Sequence, residues 1–431
     1  MISPHHYGHE VSPRKQKQQA RAAPLLARRA MQKTNRVRPI IIQGHERPLT
    51  MVKYNREGDL LFTAAKDHRP CLWYADNGER IGTYEGHTGT VWCIDVNCAC
   101  PLLERSWRRF HVPALSANRP YRRASLGSMH LAHLLPPIFL SLTSRVSSSV
   151  PHADDSTRLL TGSADNQCKL WDVRTGECLH TWKHTGPVRD VRFALGEKAF
   201  LTVLDNIMGN QPTIFVWDLD LKDLANTPDA PKTKMLGHTA KVHRALWGPV
   251  NRSIFSGSDD ATLRVWNPET GEQKGIVEGV HQKKITDLQL SWDMTLLVTS
   301  CGDHWVRLFE TSTLTLLKAF NTERNINSAA VSPLSTCPYL IAAGGQDAMS
   351  VTTTSSKQGN FHCSFFDHVF DDELGAVHGH FGPVNTLAFA PHGRAYTSGG
   401  EEGYVRIHHL PPDYFEAFDK KVAEAQGKNW P

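Results

Sequence analysis

A histidine, a hydroxyl and a carboxylate are the parts of a nucleophilic triad, in which the imidazole takes the hydroxyl proton and the carboxylate orients the imidazole. The chain offers that set several times over. His45 is followed by Thr63, Asp67 and Trp73, His238 by Ser256, Asp260 and Trp266, His281 by Thr299, Asp303 and Phe309, and His380 by Ser398, Glu402 and His408. In all four the hydroxyl stands four residues before the acid, the acid six before the aromatic position, and the histidine 28 before it. An active site occurs once, whereas a set that recurs at constant spacing is architecture. The tryptophan gives the reason for the rest: the indole N–H can donate to the hydroxyl, the hydroxyl to the ring, and the ring to the acid. One chain of bonds then satisfies polar groups caught between strands.

The sets sit in a common grammar of short apolar runs parted by turns. LLFTAAKDHRPCLWYADNGER (60–80), LLTGSADNQCKLWDVRTGECL (159–179), SIFSGSDDATLRVWNPETGEQ (253–273), LLVTSCGDHWVRLFETSTL (296–314) and AYTSGGEEGYVRIHHL (395–410) each read as strand, acidic turn, strand. A period near 40 residues with Gly-His and Trp-Asp elements is the WD-repeat signature, with four strands to a propeller blade. Two units are less regular: 183–220 has His184 and Trp217-Asp218 with five extra residues, and 325–354 keeps Asp347 but lacks the Gly-His and the Trp. The count is seven. The last unit supplies only three strands, and RPIIIQ (38–43) is spare ahead of the first Gly-His, so pairing the two closes the ring. The expectation is an all-β, seven-bladed WD-repeat β-propeller. Beyond it, Pro411-Pro412-Asp413 stops the strand, Asp413 can N-cap, and Tyr414, Phe418 and Val422 form one stripe, which predicts a short C-terminal helix over 411–431.

The second unit is interrupted. After GHTGTVWCIDVN (86–97), His87 meets its partners Thr161, Asp165 and Trp171 only 84 residues on, leaving 56 surplus. Excising 98–153 joins CIDVN to DDSTRLLTGSAD with the alternation intact, so 98–153 is expected to be a disordered insertion in blade two or an unspliced intron, and 38–97 with 154–410 to be the propeller. Residues 1–37 are expected to be a disordered or mis-annotated leader. Charge supports the partition: the formal +5 hides +7 on 1–37 and +6 on 98–153, which leaves −8 on the other 338 residues. A mildly acidic propeller has no electrostatic footprint for nucleic acid. The nine cysteines are scattered without a CxxC pair, as suits free thiols in the cytoplasm. The most apolar stretch, 130–142, is short and carries two prolines, so no membrane span is expected. Metal triad, nucleophile elbow and phosphate-binding glycine loop are all missing from the motif inventory, and the expectation is a protein that is not an enzyme and takes no cofactor or metal.

Trp305 stands out by comparison between repeats, since the same position holds Arg69, Gln167, Thr262 and Tyr404 elsewhere. An exposed Trp is an interface anchor. The generic units are shared by many propellers, including G-protein-β-like signalling adaptors, which form the alternative reading. More specific are RPIIIQGHERPLTMVKYNREGDLLFTAAKD, the VTTT at 351–354, FHCSFFDHVFDDELGAVHGHFGPVNTLAFAPHG and SGGEEGYVRIHHL. With these stretches the chain closely resembles subunit i of eukaryotic translation initiation factor 3, over 38–97 and 154–431. The resemblance implies a non-catalytic scaffold that associates with subunits b and g and, through them, with the small ribosomal subunit and mRNA recruitment. It further implies that a helix of subunit b docks near the fifth and sixth blades, which is carried over only to Asp287, His304 and Trp305.

Overall fold

Among the described residues, runs of four to seven residues rich in Val, Ile, Leu and Phe, parted by Gly, Asn and Asp turns, become 28 strands. The computed structural model describes residues 38–97, 156–205, 211–221, 224, 228, 230–334, 337–345, 361–369 and 371–410. All of them fall in the unit formed by Met1–Ala99 and Ala153–Pro431; the second unit, Cys100–His152, lies outside the described residues. So do the leader at 1–37, the whole of the insertion at 98–153, and the expected helix at 411–431.

The strands form seven four-stranded antiparallel sheets, the blades of a propeller. Six blades are consecutive in sequence, as in Leu49–Tyr54, Leu60–Ala65, Cys71–Tyr74 and Arg80–Thr83. The seventh takes three strands from Val384–Phe389, Ala395–Gly400 and Tyr404–His409, and its outer strand is Ile40–Gln43 from the other end of the chain, with Ile42 opposite Val405. That exchange removes the open edge a lone ring end would present. In the second blade Val91–Val96 pairs directly with Arg158–Ser163, Val96 opposite Leu159, and Asn97 brackets Arg158 through both backbone and side chain (3.0 and 2.7 Å). In the sixth blade the third strand is His362–Asp367, with Phe366 opposite Leu340 as Phe309 lies opposite Leu297. The intervening residues 346–360, Asp347 and the VTTT included, lie outside the described residues.

Apolar clusters lie between neighbouring sheets, so the core is a ring of interfaces; Ile42, Leu49 and Val52 of the first blade pack with Ala395, Val405 and Ile407 of the seventh. Each innermost strand carries a β-bulge at its second residue, as between Leu49 and Met51 or Val384 and Thr386. A bulge re-aims one side chain, and here that side chain reaches the next blade. Thr50 donates to the Val91 carbonyl (2.7 Å), Thr286 to Ile326 (2.8 Å), Asn327 to Val384 (3.0 Å) and Asn385 to Leu49 (3.0 Å).

Around the axis runs a second belt. The Phe193 N–H donates to Asp95 (2.7 Å), the Ala245 N–H to Asp190 (3.1 Å), Arg244 to Asp287 (3.1 Å) and Asp190 (3.4 Å), Ser328 to Asp287 (2.6 Å), the Leu387 N–H to Ser328 (3.2 Å) and the Val52 N–H to Thr386 (3.2 Å). Between the first and second blades the Ile94 N–H reaches Met51 Sδ (3.5 Å) and Lys53 pairs with Asp95, so every blade is latched to the next, and the last to the first.

Candidate functional site

In the first blade the His45 Nδ1–H donates to Asp67 (2.7 Å), the Thr63 hydroxyl to His45 Nε2 (2.7 Å) and the Trp73 indole to Thr63 Oγ1 (2.8 Å). The second blade assembles His87, Asp165, Thr161 and Trp171 at 2.8, 2.7 and 2.8 Å across its long interruption. The fourth places His238, Asp260, Ser256 and Trp266 at 2.8, 2.7 and 2.7 Å. In the seventh, Glu402 and Ser398 flank His380 at 2.7 Å each, and His408 stacks on Tyr396 where an indole would lie.

The glycine before the histidine follows from the same geometry. Gly86 and Gly237 hold φ of 148° and 155°, and a Cβ on either would come within 3.1 or 3.0 Å of the Trp171 or Trp266 ring. Burial pushes the Asp260 carboxyl up, but donation from His238 and Thr262 holds it below the ordinary carboxylate range. The hydroxyls of Thr63, Thr161 and Ser256 are fully buried, accept the indole and give their protons to the ring, and Ser398, equally buried, bonds the His380 ring without an indole partner. None has a path to a substrate, so these triads serve as struts rather than nucleophiles. Asp260→Ala strands the His238 ring and the Thr239 and Thr262 N–H groups. A loss of about 1–3 kcal/mol in chemical denaturation is expected; an unchanged melting curve would refute the strut role.

The fifth blade is built differently. Arg307, buried, donates to His281 Nδ1 (3.1 Å) and grips Asp303 (2.9 and 3.2 Å), so a guanidinium replaces the direct histidine–acid bond; Thr299 stands 3.4 Å from His281 Nε2. Phe309 takes the indole position, and the space it frees admits Val280 where other blades need glycine. His281, Cys301 and Asp303 bring donor atoms within 4.8 Å of one another, in kind a zinc set. They do not fit a dication, because the Arg307 guanidinium already occupies the place of the cation, bonded to both His281 Nδ1 and Asp303. The seventh blade, also without an indole, has an arginine at the same place, Arg406 reaching Glu402 at 3.3 Å, but there it adds to the direct His380–Glu402 bond instead of replacing it. These two arginines were missed in the sequence, although a basic residue four after the acid together with a missing Trp marks both.

In the third blade Trp217 donates to Thr202 (2.9 Å), while His184 meets the Trp217 ring edge-on and burial holds it down to about 4. The sixth blade places Ala342 in the hydroxyl register and so has no tetrad to form.

The three residues assigned to partner binding do not come together. His304, at φ 74°, and Trp305 lie half-buried on the acidic turn of the fifth blade, the Trp305 ring beside Arg307. Asp287 corrects an expectation: it is not an acid open to a basic helix but is buried in the belt, bonded by Arg244, Ser328, Gln289 and the Leu288 N–H. Large exposed apolar side chains nevertheless gather on this side of the ring, with Leu316 and Leu317 on the fifth blade's outer strand 44% and 50% exposed and Val369 on the sixth 51%. Lys318 ties the two blades there through the Val369 carbonyl (2.7 Å) and Asp371 (2.8 Å). Among the described residues no helix is long and apolar enough to cross a membrane.

Seven blades, tetrads inside individual blades and an exchanged closing strand define a WD-repeat propeller. The EIF3I family model matches residues 145–419. Eukaryotic translation initiation factor 3 subunit I of Taeniopygia guttata and that of Homo sapiens are each 40% identical over 381 residues, covering 88% of this chain and 98% of theirs. The Bombyx mori protein is 39% identical over the same extent. The chain belongs to the eukaryotic translation initiation factor 3 subunit I family.

Proposed function

We propose that this protein is a non-catalytic scaffold of the translation initiation factor 3 complex, working in the cytoplasm. It holds subunits b and g and, through them, supports recruitment of the small ribosomal subunit and mRNA. The observation that carries this reading is the contrast within the molecule: the triad-like sets are sealed inside, while apolar side chains crowd the outer surface of the fifth and sixth blades. Such a surface suits docking of an amphipathic helix, and His304 with Trp305 extends it onto the turn above. Affinity purification from cells tests it. Initiation factor 3 subunits b and g and the small ribosomal subunit should co-purify; recovery of receptors and kinases instead would favour the signalling-adaptor reading.

On the same reading residues 1–37 and 98–153 contribute nothing to the propeller, and 411–431 follows it as a helix. The strands flanking the insertion already pair with each other. Deleting 98–153 should preserve or raise the melting temperature and leave partner binding unchanged. A deletion variant that fails to fold would make the insertion part of the design.

A further inference from the structure

Of the seven residues at the inner-strand bulges, four latch one blade to the next by a hydrogen bond and three do not. Thr50, Thr286, Asn327 and Asn385 each donate to the first carbonyl of the next inner strand. In the second, third and fourth blades the same place holds Trp92, Arg189 and His243. Among the described residues none of these three bonds the next strand's backbone; Arg189 and His243 turn to acids of their own blades, Asp205 and Asp259. The departures are contiguous, so one arc of the histidine-loop face carries an aromatic, a guanidinium and an imidazole where the rest of the rim carries structural amides and hydroxyls.

Arg189 lies over the Trp92 ring at 3.8 Å and holds Asp205 through Nε and Nη2 (2.9 Å each). A guanidinium fixed by a ring and a carboxylate has little freedom left to lose when it meets a further anion. Lys241 reaches the same Asp205 at 3.6 Å, and His243 Nε2 donates to Asp259 at 2.7 Å. That donation holds the Asp259 carboxyl below the ordinary range, with the charges of Lys284 and Lys241 adding to it, so both amines stand near this acid. Lys283 and Lys284 continue the arc on the fifth blade's loop, both exposed and without an ion pair among the described residues. The acids that answer these bases are turned inward: Asp205 is 3% exposed and Asp259 28%, and the tetrad acids Asp165 and Asp260 are sealed at 6% and 7%. Lys241, by contrast, is 44% exposed. The arc therefore shows cations to solvent, although the residues outside 1–37 and 98–153 sum to −8.

Carboxylates suit this arc better than a nucleic-acid strand. Base stacking needs an open aromatic face, and Trp92 spends its ring on Arg189. The net charge of the propeller opposes a long polyanion, whereas a few local amines match the carboxylates of a short segment. We propose that the arc docks an acidic peptide segment of another subunit, its carboxylates meeting Lys241, Lys283, Lys284 and the open edge of Arg189. The proposal rests on the reading of the protein as a subunit scaffold, and it adds a contact separate from the outer strands of the fifth and sixth blades.

Carbodiimide coupling of the purified complex tests it. The reagent joins an amine to a carboxylate in contact with it, forming an amide and taking up the water released. Mass spectrometry should find Lys241, Lys283 or Lys284 joined to an Asp or Glu of another subunit. The variant Lys241→Gln, Lys283→Gln, Lys284→Gln should melt with the unsubstituted protein. It should bind the coupled subunit about tenfold more weakly, the sum of three surface pairs, with the difference closing as salt is raised. Unchanged affinity in the variant would overturn the site, and ultraviolet adducts of RNA on 283–284 would assign the arc to nucleic acid instead. If no initiation factor 3 subunit co-purifies, the scaffold reading and the site fall together. If subunits co-purify and couple through other lysines while these three do not, the site falls alone.

Discussion

Asp190→Ala should destabilise the propeller by about 3–5 kcal/mol, the range expected when one partner of a buried ion pair is removed. Asp190 is fully buried on the third blade's inner strand and accepts from the Ala245 N–H and from Arg244. Its loss leaves Arg244, whose side chain is 13% exposed, with Asp287 as its one remaining carboxylate, and takes away the nearer of the two carboxylates paired with Arg192. It also cuts the latch between the third and fourth blades. Denaturant unfolding of Asp190→Ala, Arg244→Met and the double variant separates the two effects. The double variant should recover much of the loss, because a buried pair replaced by apolar groups is far less harmful than a half-pair. A single-variant cost below about 1 kcal/mol would mean that the belt is hydrated and carries little of the ring's stability.

The tetrads were legible in sequence for a physical reason. Indole, hydroxyl, imidazole and acid must meet within one blade, so their separations are fixed by strand and turn lengths and repeat at 28 residues from His45, His238, His281 and His380. Ring closure was legible because a lone strand at 38–43 and a three-stranded last unit each lack a partner. The belt was not. Most of its members share a position but no chemistry: Asp190, Arg244, Asp287, Ser328 and Thr386 occupy the residue after the bulge, where the first two blades have Met51 and Cys93 and Asp95 joins the belt from two residues further on. What each must be depends on the neighbouring blade, about 40 residues away, and no periodicity of residue type records that. Asp287 was accordingly read as a surface acid when its neighbours in space are Arg244 and Ser328.

The sixth blade shows the limit of counting from an acid. In sequence this unit shows only Asp347, without the Gly-His and the Trp; its third strand is His362–Asp367, where no tetrad spacing marks it. The fifth shows substitutions that make sense only together. Phe309 removes the indole, Val280 takes up the freed volume, and Arg307 supplies the link between His281 and Asp303. Each looks like decay when read alone.

Those same departures bear on the second large effect. Trp305→Ala should weaken binding to subunit b by about 2 kcal/mol, roughly thirtyfold in affinity, if His304 and Trp305 form part of the docking surface. Trp305 begins the fifth blade's third strand opposite Asn321, next to the outer strand that carries exposed Leu316 and Leu317. It is half-buried beside Arg307 and makes no tetrad bond, so its truncation should leave the fold intact. Asp287→Lys is not an equivalent probe, since a lysine there would face Arg244 inside the belt and would lower affinity by unfolding the ring. Leu317→Asp is the better companion, because it changes only the exposed strand. Calorimetric titration of both variants against subunit b, with thermal melts as controls, decides the question. Unchanged affinity in both, with melts matching the unsubstituted protein, would move the docking surface away from the fifth blade.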